Sequence, residues 1–176
     1  MMEIEYIRAN PVSESSEKQG YIEALKEEID FELAYLAVLT YEGIKPLSRW
    51  EKPLGNDGLE LLQRMGLFAK RIRRTVRTGK EIFETIFSRI PAYLQLYERH
   101  FGDKPIDKTA ETKRFEGFLF GYPPCCINGY IQKPYAANNF EAEEQKILFH
   151  WVCKDCKVTP LLFDAYKSVY NSLSNC

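Results

Sequence analysis

The cysteines of this chain are confined to its C-terminal part. The first 124 residues contain none; Cys125, Cys126, Cys153 and Cys156 then fall in two tight clusters, with Cys176 at the terminus. Clustered thiols restrict what a chain can fold into, because the clusters must converge on a shared partner: one another, a metal ion, or a packed interior. The N-terminal residues MMEIEYIR carry acids where a secretory signal needs bases, and no apolar run follows them. That predicts a cytoplasmic protein, in which thiols stay reduced and clustered cysteines point to metal or redox chemistry more than to disulfides. With aromatics at 14% of 176 residues, the chain has enough bulk for a core without covalent staples.

Two motifs carry the chemistry. One is G-Y-P-P-C-C at 121–126; the other is H-W-V-C-K-D-C at 150–156, an H-x2-C-x2-C pattern. A C-x2-C turn brings two sulfurs close enough to share a tetrahedral ion, and zinc accepts mixtures of thiolate and imidazole. If the helix beginning near Phe140 runs on through His150, then His150 and Cys153 share a face. Cys153, Cys156 and His150 then supply three ligands, and one of Cys125 and Cys126 supplies the fourth, because helical neighbours diverge by about 100°. Zinc is the expected metal, with an iron–sulfur cluster as the alternative, although ferredoxin spacings are absent. Two metal-free readings stand beside these. Cys125 or Cys126 could serve as a nucleophile or redox thiol at a helix N-terminus with His150 as acid–base partner. The thiols could equally be buried structural residues, with no cofactor. Whether the protein is an enzyme is left open.

The element F-L-F-G-Y-P-P-C-C-I, with the downstream H-x2-C and a further cysteine, resembles an uncharacterised, mainly archaeal family described as a domain of unknown function. The resemblance covers roughly residues 115–170. It implies that these residues matter and names no reaction.

The remaining pattern predicts one domain, α+β and dominated by helix, with an N-terminal helix-and-hairpin part (1–106) and a helical part carrying the cysteines (107–176). Residues 2–8 alternate as a short strand would. Ile22, Leu25, Ile29, Leu33 and Leu36 mark a helix from about Glu17 to Thr40. A short helix follows within 55–66. Residues 67–89 read as a hairpin turning at Thr78-Gly79, flanked by β-branched and aromatic residues, with two helices split at Gly79 as the alternative. Pro91 opens a helix ending at Gly102, and further helices are expected after Asp107, Pro124, Asn138 or Asn139, and Thr159-Pro160.

Lys and Arg number 24 against 25 Asp and Glu, which excludes a wholly polybasic coat. A local patch remains, because residues 61–80 hold seven cations and no acid. On a hairpin, Arg71, Arg73 and Arg77, with Arg74 beside them, would form a stripe suited to the phosphates of RNA or another polyanion. The acidic N-terminal helix offers the competing partner, within one chain or across a homodimer, so nucleic acid is admitted but not expected. The longest charge-free run, Gly117 to Gln132, is sixteen residues interrupted by two prolines, too short to span a membrane.

Overall fold

The computed structural model describes residues 16–175. The strand expected over residues 2–8 and Cys176 lie outside that range. Helix α1 (Ser16–Ala24) passes into a π-helical turn (Leu25–Ile29) and then into α2 (Phe31–Tyr41). The single helix expected here is broken at Asp30. Its backbone is extended and its carboxylate accepts the Glu32 N–H at 2.8 Å, so Asp30 caps a new helix where periodicity alone predicts continuation. The predicted apolar stripe still faces inward: Ile22, Leu25, Leu33 and Leu36 are buried, and Ile29 packs against them.

Three strands follow, β1 (Ser48–Trp50), β2 (Phe68–Thr75) and β3 (Glu81–Ser88), with α3 (Asn56–Arg64) between the first two. The sheet is antiparallel in the order β1-β3-β2; Phe68 pairs with Ser88 and Thr75 with Glu81. The hairpin turns where the sequence predicts, with Gly79 at φ +83°, a conformation that side chains with a Cβ rarely adopt. The C-terminal half is helical: α4 (Pro91–Phe101), α5 (Ala110–Leu119), α6 (Pro124–Gln132), α7 (Ala142–Ile147) and α8 (Thr159–Ser174). The class is therefore α+β and helix-dominated. Among the described residues, no helix is long and apolar enough to cross a membrane.

Two apolar clusters form the interior. In one, α1 and α2 pack with α8 and with Cys126, Val152 and Cys156. Tyr35 ties it together, donating its hydroxyl toward the carbonyls of Ile147 at 3.0 Å and Tyr166 at 3.2 Å. The other joins Leu47, Ile72 and Ile86 of the sheet region to Tyr97, Phe101, Leu119 and Phe120. At its centre Arg74, only 2% exposed, lies 3.6 Å from both Glu84 and Glu116. Arg49 reaches Glu116 at 2.6 Å, and Tyr97 donates its hydroxyl to Glu84.

This network removes Arg74 from the expected cationic surface, while Arg71, Arg73 and Arg77 are exposed. Arg74 shares the inward face of β2 with Ile72 and is consumed by the buried Glu84 and the partly buried Glu116. Arg73 is paired with Asp103 at 2.7 Å and Glu81 at 3.2 Å. Arg71 donates to the Leu54 carbonyl and to Asn56. Of the four, Arg77 alone, exposed in the hairpin turn, has no such partner among the described residues. Truncating one member of a buried ion pair strands its partner. Arg74→Met is thus expected to lower unfolding free energy in urea by about 3–5 kcal/mol, and Arg74→Met with Glu84→Leu to recover part of that loss.

Candidate metal centre

Pro123 and Pro124 start α6 and set Cys125 and Cys126 in its first turn. Across from them, α7 stops at Ile147, and the chain runs without regular structure through residues 148–158 until Thr159 opens α8. Cys153 and Cys156 stand on that connection, with the Cys156 N–H bonded to the Cys153 carbonyl at 3.2 Å. Close approach is needed on the α6 side: a Cβ on Gly129 would sit 3.1 Å from Cβ of Cys153.

The four sulfurs converge, every pair lying within 4.8 Å. Cys125 and Cys156 are 3.6 Å apart, Cys126 and Cys153 3.8 Å, Cys126 and Cys156 3.4 Å. Four sulfurs at about 2.3 Å from one tetrahedral ion would be about 3.8 Å from each other, so the group has the dimensions of a single-ion site. Backbone donors point at two of the sulfurs: Thr159 N–H at Cys156 Sγ, 3.2 Å, and Cys153 N–H at Cys126 Sγ, 3.4 Å. Burial raises the Cys156 thiol, but the Thr159 hydroxyl and N–H outweigh it and bring it down to about 6. Burial pushes the Cys125 and Cys126 thiols upward. The thiolate character expected at the start of α6 is therefore found at Cys156, beside the start of α8.

The placement of the five predicted ligands differs from the expectation in two respects. Cys125 and Cys126 both reach the group, because its other members approach from one side across the helix start. His150 stands apart from it. Helix α7 ends before reaching His150, so no helical face carries that residue to Cys153. Its Nε2 instead meets the Thr159 hydroxyl at 2.9 Å, and its Nδ1 is buried without a hydrogen-bond partner among the described residues. The imidazole thus touches the cysteines only through Thr159, whose Oγ1 is 3.2 Å from Cys156 Sγ. Burial, and then Lys45, depress His150 to about 4, so it is neutral at pH 7. A nucleophile–base pair between His150 and a cysteine is not formed.

Sequence reasoning passes over Thr159 as a mere helix start and misses Lys45 altogether. The Lys45 side chain is buried among Phe120, Tyr122 and Phe149, with its ammonium 4.6 Å from the centre of the Tyr122 ring and donating to the Phe120 carbonyl at 3.2 Å. No carboxylate pairs with it among the described residues. Its one sequence signal is a lone cation in the apolar string GIKPL. Comparison with family models, curated proteins and solved structures finds no match to this chain.

Burial, with Arg49 adding to it, lowers Lys45 from its ordinary 10.5 to about 7. Between those values the unfolded chain holds a proton that the folded chain lacks, so this residue makes stability rise with pH from about 7 toward 10.5. Lys45→Met should remove that rise, and its gain in urea midpoint over the wild type should be largest near pH 6 and shrink as pH increases.

Proposed function

We propose that this is a small zinc protein in which Cys125, Cys126, Cys153 and Cys156 hold one ion in a closed, structural site. The observation that carries this reading is the set of sulfur separations, 3.4–3.8 Å for three of the pairs, which suits one tetrahedral ion. An iron–sulfur cluster distributes its cysteines over several irons and needs its sulfurs spread more widely, so the convergence favours a mononuclear ion. A four-thiolate set leaves no position for water or substrate, which favours architecture over Lewis-acid catalysis. The local packing agrees. Helix α6 fully buries only Cys126 and α7 none of its residues, although Ile127 packs on Gly117 and Ile147 on the core, so few fully buried side chains of their own hold these two helices. The ion would supply that hold, and its binding free energy would be folding free energy.

The test is metal analysis of protein purified without added metal. One zinc per chain is expected, with no visible colour. Reduced, intact protein carrying neither zinc nor iron would overturn the reading. Variants separate the ligand sets: Cys153→Ser and Cys156→Ser should lose zinc, whereas His150→Ala should keep one equivalent. A chelator should unfold residues 121–175 first, read as early loss of amide protection there.

Gly129→Ala gives a subtler check. Its Cβ would press on Cys153 at 3.1 Å, so Cys153 must shift by a few tenths of an ångström. Zinc affinity is expected to fall while helix content stays unchanged, measured by competition with a chromogenic chelator and by circular dichroism.

A further inference from the structure

A cavity of about 800 Å³ opens beside the cysteine centre. Well-packed interiors leave few voids larger than a water molecule, and this volume is in the range of small-molecule sites. One wall comes from α5 and α6, the other from residues 135–151, with Arg49 reaching in from the sheet. Cys126 itself lines it. The two walls meet at the cysteines: α6 carries Cys125 and Cys126, and Cys153 follows Trp151 by two residues.

The lining is rich in rings. Tyr135 stands edge-to-face with Tyr130 at 5.2 Å and with Trp151 at 5.3 Å, and the Trp151 indole N–H is fixed on the Ala136 carbonyl at 2.7 Å. Tyr135 is 68% exposed and holds φ at +57°. A bulky residue in the left-handed region is held there at a cost of about 1–3 kcal/mol, and such strain concentrates at ligand clamps. The charges at the cavity are asymmetric: Arg49, Lys113 and Lys146 line it against one carboxylate, Glu116. Glu116 is bound to Arg49 at 2.6 Å, and Lys146 pairs with Glu143 at 2.6 Å. Lys113 has no carboxylate partner among the described residues, and its ammonium sits 5.6 Å from the centre of the Tyr130 ring.

We propose that this cavity binds a flat aromatic molecule carrying an anionic group, its ring among Tyr130, Tyr135 and Trp151 and its charge at Lys113, and that the metal holds the two walls together. The first half stands on the cavity alone; the second rests on the zinc reading above. A cationic ligand is disfavoured because the one carboxylate is already paired. The volume exceeds that of a single ring, so a fused bicycle is the natural size. A nucleotide and an aromatic acid share this chemistry.

The experiment titrates the ¹⁵N-labelled, metal-replete full chain with naphthalene-2-sulfonate, adenosine 5′-monophosphate and the neutral 2-naphthol. Saturable shifts are expected at the Trp151 indole N–H and at the amides of Gly117, Ile127 and Tyr135, with at least one of the anions. The tighter anion identifies the source as aromatic acid or nucleotide. Lys113→Glu should weaken that anion about tenfold and change 2-naphthol by less than about twofold. Ala137→Trp, which places an indole in the cavity, should abolish binding while leaving the metal content unchanged. No saturable shift with either anion, or shifts scattered over the surface and indifferent to Ala137→Trp, would overturn the site. Chelation tests the second half. The metal-free chain should lose the probe, and the probe should in turn tighten metal retention by the same factor. Equal binding with and without metal would overturn the wall-holding role, and with it the expected unfolding of residues 121–175 on chelation, and leave the cavity and the ligand set standing. A chain that binds the probe but is purified without metal would overturn the zinc reading and leave the cavity standing.

Discussion

Four sulfurs within 4.8 Å of one another impose a requirement on everything around them. As thiolates they repel unless a cation sits between them, and as thiols they leave polarizable, weakly bonding groups at the junction of three segments. One of the four, Cys156, is already drawn toward the thiolate by the Thr159 hydroxyl and N–H. The segments that meet there are held otherwise by core packing of Leu148 and Val152 and by side-chain hydrogen bonds, with little regular structure. Helix α7 is six residues long, and the 148–158 connection has no regular backbone pairing. Isolated helices of this length are not stable on their own. The convergence of the cysteines is thus the constraint from which the placement of α6, the connection and the start of α8 follows.

A second polar centre governs the other half. Arg49, Arg74, Glu84, Glu116 and Tyr97 come from five different elements, the three strands together with α4 and α5. Arg74 and Glu84 are desolvated, so each depends on its neighbours for compensation. The arrangement fixes α5 against the sheet, and α5 leads through a four-residue connection into α6. The position of Cys125 and Cys126 is in this way tied to the sheet through Glu116, one turn before the end of α5. Between the two centres sits Lys45, surrounded by rings and, among the described residues, lacking a counter-ion.

Much of the fold is legible in the sequence where the signal is local. Pro91 and Gly102 bracket α4 as expected, Pro124 opens α6, and the glycine at 79 marks the hairpin. The failures occur where a side chain competes with periodicity. Asp30 can cap as well as continue a helix, and here it caps, held also by Lys52 from a distant segment that periodicity does not see. Asp107 similarly hands the α5 cap to Thr109, accepting that residue's N–H and hydroxyl itself. At the site, the cysteine spacings indicate convergence, since spacing is a local property. The role of His150 is not legible, because it depends on where α7 ends and on a hydroxyl nine residues downstream. Arg74 is misread for the same reason: alternation gives its face of the strand, but not which face is covered.

The division of the interior has a consequence for synthesis. The buried members of the sheet-side cluster run from Leu47 to Phe120, so all precede the first cysteine in the chain. As the polypeptide emerges from its N-terminus, that cluster is complete before any thiol appears. The other cluster is split, with its first part ending at Phe87 and its second spanning Cys126 to Leu173. The early part, with α1 and α2 packed on α3 and the sheet, leaves the side of α2 that meets α8 waiting for residues beyond Cys126. Closure of that cluster coincides with the arrival of the four cysteines and of Tyr166, whose carbonyl receives the Tyr35 hydroxyl.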